Sequence, residues 1–354
     1  MAANDPTAVS GHWARLEERG AYLGLRIMFL VYRLCGRIGF FVLLGPVMMY
    51  FFLFNRTARR ASLDFLERVH RDPRGQRRLK ERPGWPQSFR HFLSFGEAIL
   101  DKIAAWVGDI SARDVVYENV GIFTELRRPQ RGALLIGSHL GNIEVSRALG
   151  TLYDDVKINV LLHTAHAANF NRLLTEANPR SRISLIQTAD IGPDTAILLQ
   201  EKIAVGEIVV IVGDRTPAGP SPRVSWVPFI GARAPFPQGP IILAALLKCP
   251  VQLIFCIKMG GRHHIIFEHF AERIELPRNR RQQTIEAWLA RYAERLENYC
   301  MQHPYQWFNF FDFWKQAGAL RDPTLTDPTS ADPTSADPTS ADPTLGNPPS
   351  RAAP

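Results

Sequence analysis

One stretch of the sequence decides the interpretation of the fold: ALLIGSHLGNIE, at residues 133–144. Its apolar first half ends at Gly137-Ser138, His139 follows, and Asn142 is a residue type that often caps the N-terminus of a helix. A short apolar run that ends in glycine and polar residues is typical of a buried strand. The stretch therefore predicts a strand, a loop that carries His139, and a helix that begins after Asn142.

The same alternation continues on both sides of this stretch. Short β-type runs are expected at residues 115–120, 132–136, 158–162, 183–186, 208–212 and 251–257. Helical patterns lie between them at residues 143–153, 169–177, 195–205 and 239–247. Strands that alternate with helices predict an α/β domain with a mixed or parallel central sheet and flanking helices. In such sheets the functional groups lie beyond the carboxyl ends of the strands.

His139 and Glu144 are candidates for a catalytic pair. Within one helix, residues five apart point about 140° away from each other, so these two side chains would not meet. They can meet if His139 lies in the loop and Glu144 in the first helical turn, where the helix dipole also favours a carboxylate. A glutamate that orients the imidazole leaves its other nitrogen free to act as a general base. The alternative is a loop histidine that is bonded to a nearby backbone carbonyl.

Two further segments offer groups that bind anions. The strand expected at residues 208–212 ends in Gly213-Asp214-Arg215, where a fixed guanidinium suits a phosphate or carboxylate, unless Arg215 pairs with Asp214 or another local acid. Gly239-Pro240 opens a helix whose first backbone amides are free, which makes a second anion site. The expected substrate-binding residues are therefore Arg215, Asp214, Gly141, Asn142 and Gly239. No metal site is expected, because the helical His-Glu-x-x-His pattern of zinc enzymes is absent.

The N-terminal segment, residues 1–60, is expected to anchor the chain in a membrane. Residues 21–54 are strongly apolar, and their charge-free part, residues 38–54, spans about 17 residues, the lower limit for a helix that crosses a bilayer. Gly45-Pro46 predicts a kink near the middle of that part. A short spanning helix and a bent hairpin within one leaflet both fit the pattern. A buried core helix of a soluble protein is the third possibility.

Charge is distributed unevenly along the chain. The net formal charge is +8, and residues 321–354 hold five Asp and two Arg, so the rest of the chain carries about +11. Basic residues accumulate at 61–82, directly after the apolar segment, which favours contact with an anionic membrane surface. Nucleic acid is not an expected partner, because no aromatic and basic binding motif accompanies the arginines.

Three parts of the chain are therefore expected. The membrane-anchoring segment, 1–60, is followed by a main domain at 61–316, which is helical over 61–112 and α/β over 113–316. Residues 317–354 contain an Asp-Pro-Thr-Ser-Ala repeat without aromatic residues. Such a composition cannot bury enough apolar surface to fold, so this tail is expected to be disordered.

Six segments of the sequence form a recognisable series: residues 13–20, His139 with Glu144, Gly213–Arg215, Phe236–Pro240, Pro250-Val251 and Pro304–Lys315. Together they resemble the lysophospholipid and lipid A acyltransferase superfamily. The resemblance covers residues 11–316, and the glutamate at 144 is most similar to the bacterial late lipid A biosynthesis branch, with its His-x4-Glu motif. Gln238 stands where the glycerophosphate enzymes have an acidic residue, so the acceptor stays open.

The resemblance implies a membrane-associated acyltransferase that moves a fatty acyl group from an acyl thioester to a hydroxyl or amine of a lipid acceptor. The donor would be acyl carrier protein or coenzyme A, and a lipid A or glycolipid type of acceptor comes first. His139 would be the general base and Glu144 its orienting partner, without a metal or redox cofactor. The resemblance also implies the bacterial inner membrane, with the catalytic domain on the cytoplasmic face. The alternative is a non-catalytic, membrane-bound lipid-binding or scaffold protein with the same fold.

Overall fold

The structure, a computed structural model, describes residues 7–126, 132–143, 145, 157–162, 183–187, 193–216 and 223–314, with most side chains from residue 30 onward. Strands alternate with helices, and a mixed sheet is flanked by helices, which confirms the predicted α/β class. Glu144 lies outside the described residues. So do the helix expected at 169–177, most of the helix expected at 143–153, and the tail.

Nine strands lie in the described ranges: β1 Val115–Glu118, β2 Ala133–Gly137, β3 Ile158–Leu162, β4 Ile183–Gln187, β5 Ile208–Val212, β6 Val224–Phe229, β7 Ala232–Pro237, β8 Val251–Met259 and β9 Arg262–Ala271. Seven of them form one sheet in the order β1-β9-β8-β2-β5-β3-β4, while β6 and β7 form a separate antiparallel hairpin. In the large sheet only β8 and β9 pair antiparallel, and the other neighbours are parallel.

The centre of the sheet places two loop starts next to each other. All five residues of β2 are buried, as expected for a parallel strand that is covered on both faces. Gly137 at the end of β2 is paired in register with Val212 at the end of β5. The loops that follow these two strands therefore begin side by side at the carboxyl edge.

Eight α-helices lie in the described ranges: α1 Thr7–Phe54, α2 Arg56–Arg71, α3 Pro73–Gln76, α4 Trp85–Val107, α5 Val120–Leu126, α6 Pro193–Ala204, α7 Gly239–Leu247 and α8 Arg281–Gln302. Short 3-10 turns stand at Ala112–Asp114, Arg278–Arg280 and Pro304–Gln306. The largest core cluster joins the sheet to α7 and α8, and the aromatic residues Trp307, Phe313 and Trp314 are part of it.

The residue pattern does not predict the hairpin, β9 or α8. Pro235 and Pro237 argue against a strand, but β7 pairs only with β6, so the missing N–H groups interrupt no central ladder. His263 and His264 follow two glycines and suggest a turn between strands, whereas they belong to the start of β9. The turn itself is Gly260-Gly261, and both glycines have positive φ.

Helix α1 bends at a different place from the one predicted. Gly36 is non-helical with φ +64°, which glycine adopts without strain, while the helix continues through Gly45-Pro46. One face of α1 packs against α4 and buries Tyr32, Phe40, Leu44 and Met48. Another face exposes large apolar side chains, including Leu34, Ile38 and Phe54. Leu30–Phe54 is long and apolar enough to cross a membrane, by length and composition.

Candidate active site

The loops after β2 and β5 bring His139 and Asp214 together. His139 follows Gly137-Ser138, and Asp214 follows Gly213, so both stand just beyond the ends of two paired strands. The imidazole Nδ1 of His139 lies 2.7 Å from Oδ1 of Asp214. This is the distance of a charge-assisted hydrogen bond. The carboxylate that the structure places on His139 is thus 75 residues away along the chain.

The Asp214 carboxylate is fully buried and accepts several hydrogen bonds. The backbone N–H of His139 donates to both oxygens, at 3.0 and 2.9 Å. Trp307 Nε1 and Asn309 Nδ2 donate to Oδ2, at 3.0 and 3.1 Å. Burial alone would raise the pKa of Asp214, but the charge and hydrogen bonds of His139 and the charge of Arg215 outweigh it and lower that pKa. The carboxylate is therefore ionised.

The contact fixes which nitrogen of His139 is available for chemistry. An ionised carboxylate only accepts hydrogen bonds, so neutral His139 carries its proton on Nδ1 and has a lone pair on Nε2. The side chain is 31% exposed, while its partner is 0% exposed. Nε2 is therefore a basic nitrogen on a partly exposed side chain. The buried negative charge of Asp214 fixes the imidazole through Nδ1.

A segment near the C-terminus holds this loop in place. The N–H of Phe308 donates to the carbonyl of His139, and the N–H of Gly141 donates to the carbonyl of Gln306, at 3.0 and 2.7 Å. Leu140 and Trp307 form an isolated antiparallel bridge between these two bonds. Residues 306–309 are called the clamp below, since they pin the His139 loop and supply two donors to Asp214.

Gly141 is a position that only glycine can occupy in this backbone. Its φ is +71°, and a Cβ built on it would lie 1.9 Å from the carbonyl oxygen of Cys256 on β8. The next residue, Asn142, donates its backbone N–H to the same oxygen, at 2.7 Å. The loop is thus pressed directly onto β8, which leaves no room for a side chain at residue 141.

The backbone amides of this loop are occupied by contacts within the protein. Gly141 and Asn142 were expected to bind substrate, but their backbone N–H groups donate to the carbonyls of Gln306 and Cys256. The side-chain amide of Asn142 donates to the carbonyl of Ala98 on α4, at 2.7 Å. Both residues therefore support the loop, although they also line a neighbouring cavity.

Two other expected substrate-binding residues have defined surroundings. Asp214 was expected to bind substrate, but its carboxylate is buried against His139 and the clamp. Arg215 donates from Nε to Asn309 Oδ1 at 2.6 Å and from Nη2 to the carbonyl of Phe308 at 2.7 Å. These bonds fix the guanidinium next to the pair and leave N–H groups for a ligand.

Gly239 is not joined to this cluster in the described structure. Gly239 is the first residue of α7 and follows Gln238 in the chain. The side-chain Nε2 of Gln238 donates a hydrogen bond to Ser225 Oγ at 3.0 Å. Within the residues that the structure describes, no hydrogen bond links Gly239 to the His139 loop. Glu144 lies outside those residues, so its contact with His139 stays a prediction. The described side chains also include no group of three or more His, Cys, Asp or Glu that could hold a metal ion.

Sequence reasoning missed the roles of Asp214, Trp307 and Asn309. Nothing in the spacing links residue 214 or the clamp to His139, because the contacts are long-range. The available signal was the position of Asp214 after a strand, which places it at the same sheet edge as His139.

Comparison with known families gives one match. A model of the family described as bacterial lipid A biosynthesis acyltransferase matches residues 90–316. That range contains β2, β5 and the clamp, and therefore every residue of the His139 cluster described above. A comparison with curated proteins gives no match.

Proposed function

The chain belongs to the bacterial lipid A biosynthesis acyltransferase family, and from this premise we propose that it transfers a fatty acyl group from an acyl thioester to a hydroxyl or amine of a membrane lipid, with His139 as the general base. The donor would be acyl carrier protein or coenzyme A, and the acceptor a lipid A or glycolipid type of lipid. The observation that carries the proposal is the contact between His139 Nδ1 and the buried Asp214 carboxylate. It leaves Nε2 as the nitrogen that takes up a proton.

The reaction needs no nucleophile from the protein. His139 Nε2 removes the proton of an acceptor hydroxyl as its oxygen attacks the thioester carbonyl carbon. The tetrahedral intermediate collapses, the carbon–sulfur bond breaks, and the proton on Nε2 passes to the leaving thiolate. The products are an ester and the free thiol of the carrier. Asp214 keeps the imidazole in one tautomer and stabilises its cationic form.

Asp214 takes the orienting role that the sequence suggests for Glu144. The Nδ1 atom of His139 already has a partner at 2.7 Å, and that partner is fixed by the clamp and by the backbone of His139 itself. A second carboxylate would have to compete for the same hydrogen. We therefore assign Glu144 a position near the acceptor and not a contact with His139 Nδ1.

Arg215 supplies positive charge beside the base. Its guanidinium is held by the side chain of Asn309 and the carbonyl of Phe308, and it adjoins Asp214 in the chain. A held guanidinium can stabilise the negative charge that develops on the thioester oxygen, or bind a phosphate of donor or acceptor. Gly239, at the N-terminus of α7, is proposed as a more distant anion-binding position.

The family and the exposed apolar face of α1 both support a location at a membrane. The exposed apolar face of Leu30–Phe54 offers a surface to lipid, and the basic stretch at residues 61–82 follows it. We place the catalytic domain on the cytoplasmic face of a bacterial inner membrane, where acyl thioesters are made. The tail after residue 316 takes no part in this proposal.

The test is transfer of a labelled acyl chain to lipid. Purified full-length protein receives labelled acyl carrier protein or acyl coenzyme A together with a bacterial lipid extract, and mass spectrometry follows the lipids. We expect a lipid heavier by one acyl group with the wild type, and its loss in His139→Ala. His264→Ala is the matched control, because His264 also touches a carboxylate, Glu118, at 2.8 Å.

Two outcomes would overturn the proposal. Wild-type protein that consumes no thioester in the presence of lipid would favour the non-catalytic, lipid-binding alternative. Transfer by His139→Ala at the wild-type rate would remove His139 as the base.

A further inference from the structure

Helix α4 packs along the charge-free part of α1, residues 38–54. Near the end of this part, the ring of Phe52 lies 5.4 Å from the ring of Phe92. Near its middle, Met48 packs on α4 so closely that a Cβ built on Gly96 would lie 2.9 Å from the Met48 side chain. The two helices are therefore in contact through most of the apolar segment.

Polar contacts continue this packing toward the N-terminus of α1. Arg37 Nη2 lies 2.7 Å from Oδ1 of Asp101, which is 1% exposed. Lys258 Nζ, near the end of β8, lies 2.6 Å from Oδ2 of the same carboxylate. The hydroxyl of Tyr32 donates to Asp109 at 2.7 Å. This part of α1 is thereby joined, through α4, to the central sheet.

Helix α4 in turn belongs to the catalytic domain along its length. His91 Nε2 is bonded to the carbonyl of Trp307 in the clamp, at 3.0 Å. The carbonyl of Ala98 accepts a hydrogen bond from the side-chain amide of Asn142, in the loop after β2, at 2.7 Å. The domain therefore lies directly behind the pair of helices.

A crossing of the bilayer by α1 would carry part of this domain into the hydrocarbon. Residues 37–52 cover about 22 Å along a helix axis, which is most of the roughly 30 Å of the hydrocarbon core. The ion pairs of Asp101 lie behind one end of that stretch, and the exposed turn Gly260-Gly261 follows Lys258 by two residues. Hydrocarbon offers no partner to exposed backbone groups and strongly disfavours charges. The packing of α1 on α4 therefore argues against a helix that crosses.

The face of α1 that points away from α4 is apolar and exposed. Ile38, Val42 and Phe54 are 82%, 66% and 71% exposed, and no charged residue occurs from position 38 to position 54. Soluble proteins rarely expose a continuous apolar surface of this kind, so it marks a contact with lipid or protein.

Charge at the two ends of the segment selects lipid as the occupant. Arg33 precedes the apolar face, Arg56 and Arg60 follow it, and all three are exposed. Trp85 is 58% exposed beside the second group, and its ring lies 4.9 Å from the guanidinium of Arg59. Tryptophan and arginine favour the head-group region of a membrane. A helix that lies flat brings both groups of arginines to the anionic head groups of one leaflet.

We propose that residues 30–54 lie in the plane of the membrane, within one leaflet, and do not cross it. The apolar face reaches about 5–10 Å into the boundary between head groups and acyl chains, and the arginines at both ends bind anionic head groups. The segment is not a bent hairpin, because the helix continues through Gly45-Pro46. The inference goes beyond the proposed function and does not depend on acyl transfer.

Spin-label depths test the proposal in the full-length protein. Ile38→Cys, Val42→Cys, Met49→Cys and Leu53→Cys each place one label on the exposed face, in a Cys35→Ser background, because the other three cysteines are buried. Collision with oxygen and with a nickel chelate, in nanodiscs of phosphatidylglycerol and phosphatidylcholine, gives each depth. We expect four depths equal to within one helical turn, about 5 Å. Deep labels at 42 and 49 with shallow labels at 38 and 53 would show a crossing helix and overturn the proposal.

Val205→Cys is the matched control for these labels. Val205 is an apolar residue that is 67% exposed and directly follows α6, so its label should stay accessible to the nickel chelate. Equal accessibility of the four α1 labels would mean that lipid does not cover the face, and would overturn the proposal. Spin–spin broadening between like labels would assign the face to a second copy of the chain, with the same consequence.

Substitutions on the same face give a second measure. The double variant Val42→Glu, Met49→Glu adds two carboxylates to the lipid contact and should lower partition onto vesicles about tenfold or more, with folded protein left in solution. Val205→Glu is its control and should change nothing. Arg56→Gln should weaken binding to phosphatidylglycerol vesicles about fivefold and leave binding to phosphatidylcholine unchanged. Unchanged partition of the double variant would contradict the proposal.

These readouts use no acyl donor, so they separate this proposal from the proposed function. Equal label depths without acyl transfer to any lipid would keep the in-plane helix and overturn the acyltransferase. A crossing helix with His139-dependent transfer would overturn the in-plane helix and keep the acyltransferase.

Discussion

Two histidines of this protein touch a carboxylate at nearly the same distance. His139 Nδ1 lies 2.7 Å from Asp214, and His264 Nδ1 lies 2.8 Å from Glu118. The two carboxylates differ in their burial. Asp214 is 0% exposed, whereas Glu118 is 41% exposed and sits on β1, an edge strand of the sheet.

The difference teaches what makes such a pair useful for catalysis. Asp214 also accepts hydrogen bonds from Trp307, Asn309 and its own partner's backbone, so it cannot turn away. Among the described residues, Glu118 has only His264 as a hydrogen-bond partner, and water competes for that contact. Exposed ion pairs of this kind contribute about 0–1 kcal/mol. The distance between two side chains therefore says less than the burial and support of the acid.

Removal of the charge from each acid should give the largest contrast. Asp214→Asn removes the charge that holds Nδ1–H and stabilises the imidazolium, so acyl transfer should fall about 10²–10⁴-fold. Glu118→Gln should leave the rate within about twofold, because Glu118 contacts none of the site. Single-turnover transfer from labelled thioester, normalised to folded protein, measures both. Equal losses in the two variants would show that the pairs do not differ as described.

The loop that carries His139 should be far less tolerant than the turn near His264. Gly141→Ala adds a Cβ only 1.9 Å from a backbone oxygen and strains a residue with φ +71°, so the free energy of unfolding should fall by about 3 kcal/mol. Gly260→Ala has φ +56° but open space, and should cost about 1 kcal/mol. Urea unfolding followed by circular dichroism compares them. A smaller loss for Gly141→Ala would argue against the tight contact with β8.

A third histidine, His91, is bonded to Ser62 Oγ and to the carbonyl of Trp307 in the clamp, and no acid is among its partners in the described part of the chain. Burial lowers its pKa from 6.5 to about 3, although its bond to the carbonyl of Trp307 acts in the opposite direction. Since the unfolded chain binds a proton below pH 6.5 and the folded chain does not, stability falls as the pH decreases. His91 alone should cost about 2 kcal/mol between pH 7 and pH 5.

Urea midpoints at the two pH values measure this contribution. In His91→Gln the stability difference between pH 7 and pH 5 should shrink by that amount, whatever the variant's stability at pH 7. An unchanged difference would mean that His91 is protonated in the folded protein.

The smallest effect is expected from a single donor of the clamp. Trp307→Phe removes the N–H that donates to Asp214 at 3.0 Å, which should cost about 1 kcal/mol of stability and slow transfer severalfold. Trp314→Phe removes a similar bond to the carbonyl of Phe229, at 3.2 Å, and should cost about the same stability without slowing transfer. Thermal unfolding and the transfer assay together separate the two. A slower rate in Trp314→Phe would remove the special role of Trp307.

The sequence predicts much of the sheet because most of its strands are short apolar runs, and a glycine marks the end of the run in β2 and follows it in β5. The runs around residues 133 and 208 lie in β2 and β5, and this places His139 and Asp214 at one edge. The spacing of apolar residues and the amino-acid composition are local signals. They suffice to predict elements that are buried on both faces. The hairpin was missed because Pro235 and Pro237 are unusual in strands.

The details of the site depend on contacts that no local pattern contains. Asp214 and the clamp reach His139 from 75 or more residues away, so spacing favours the nearer acid, Glu144. A kink of α1 was expected at Pro46 because proline disfavours the interior of a helix. The residue with non-helical backbone angles is instead Gly36. Leu44 and Met48, which flank Gly45-Pro46, pack against α4 at Gly96.

The most direct test of the account is the position of the proton on His139. Nitrogen-15 NMR of labelled protein, recorded at a pH where the His139 ring is neutral, should show Nδ1 protonated and Nε2 unprotonated, with the Nδ1 proton signal lost in Asp214→Asn and kept in Glu144→Gln. A proton on Nε2, or a signal that disappears in Glu144→Gln and persists in Asp214→Asn, would contradict the account.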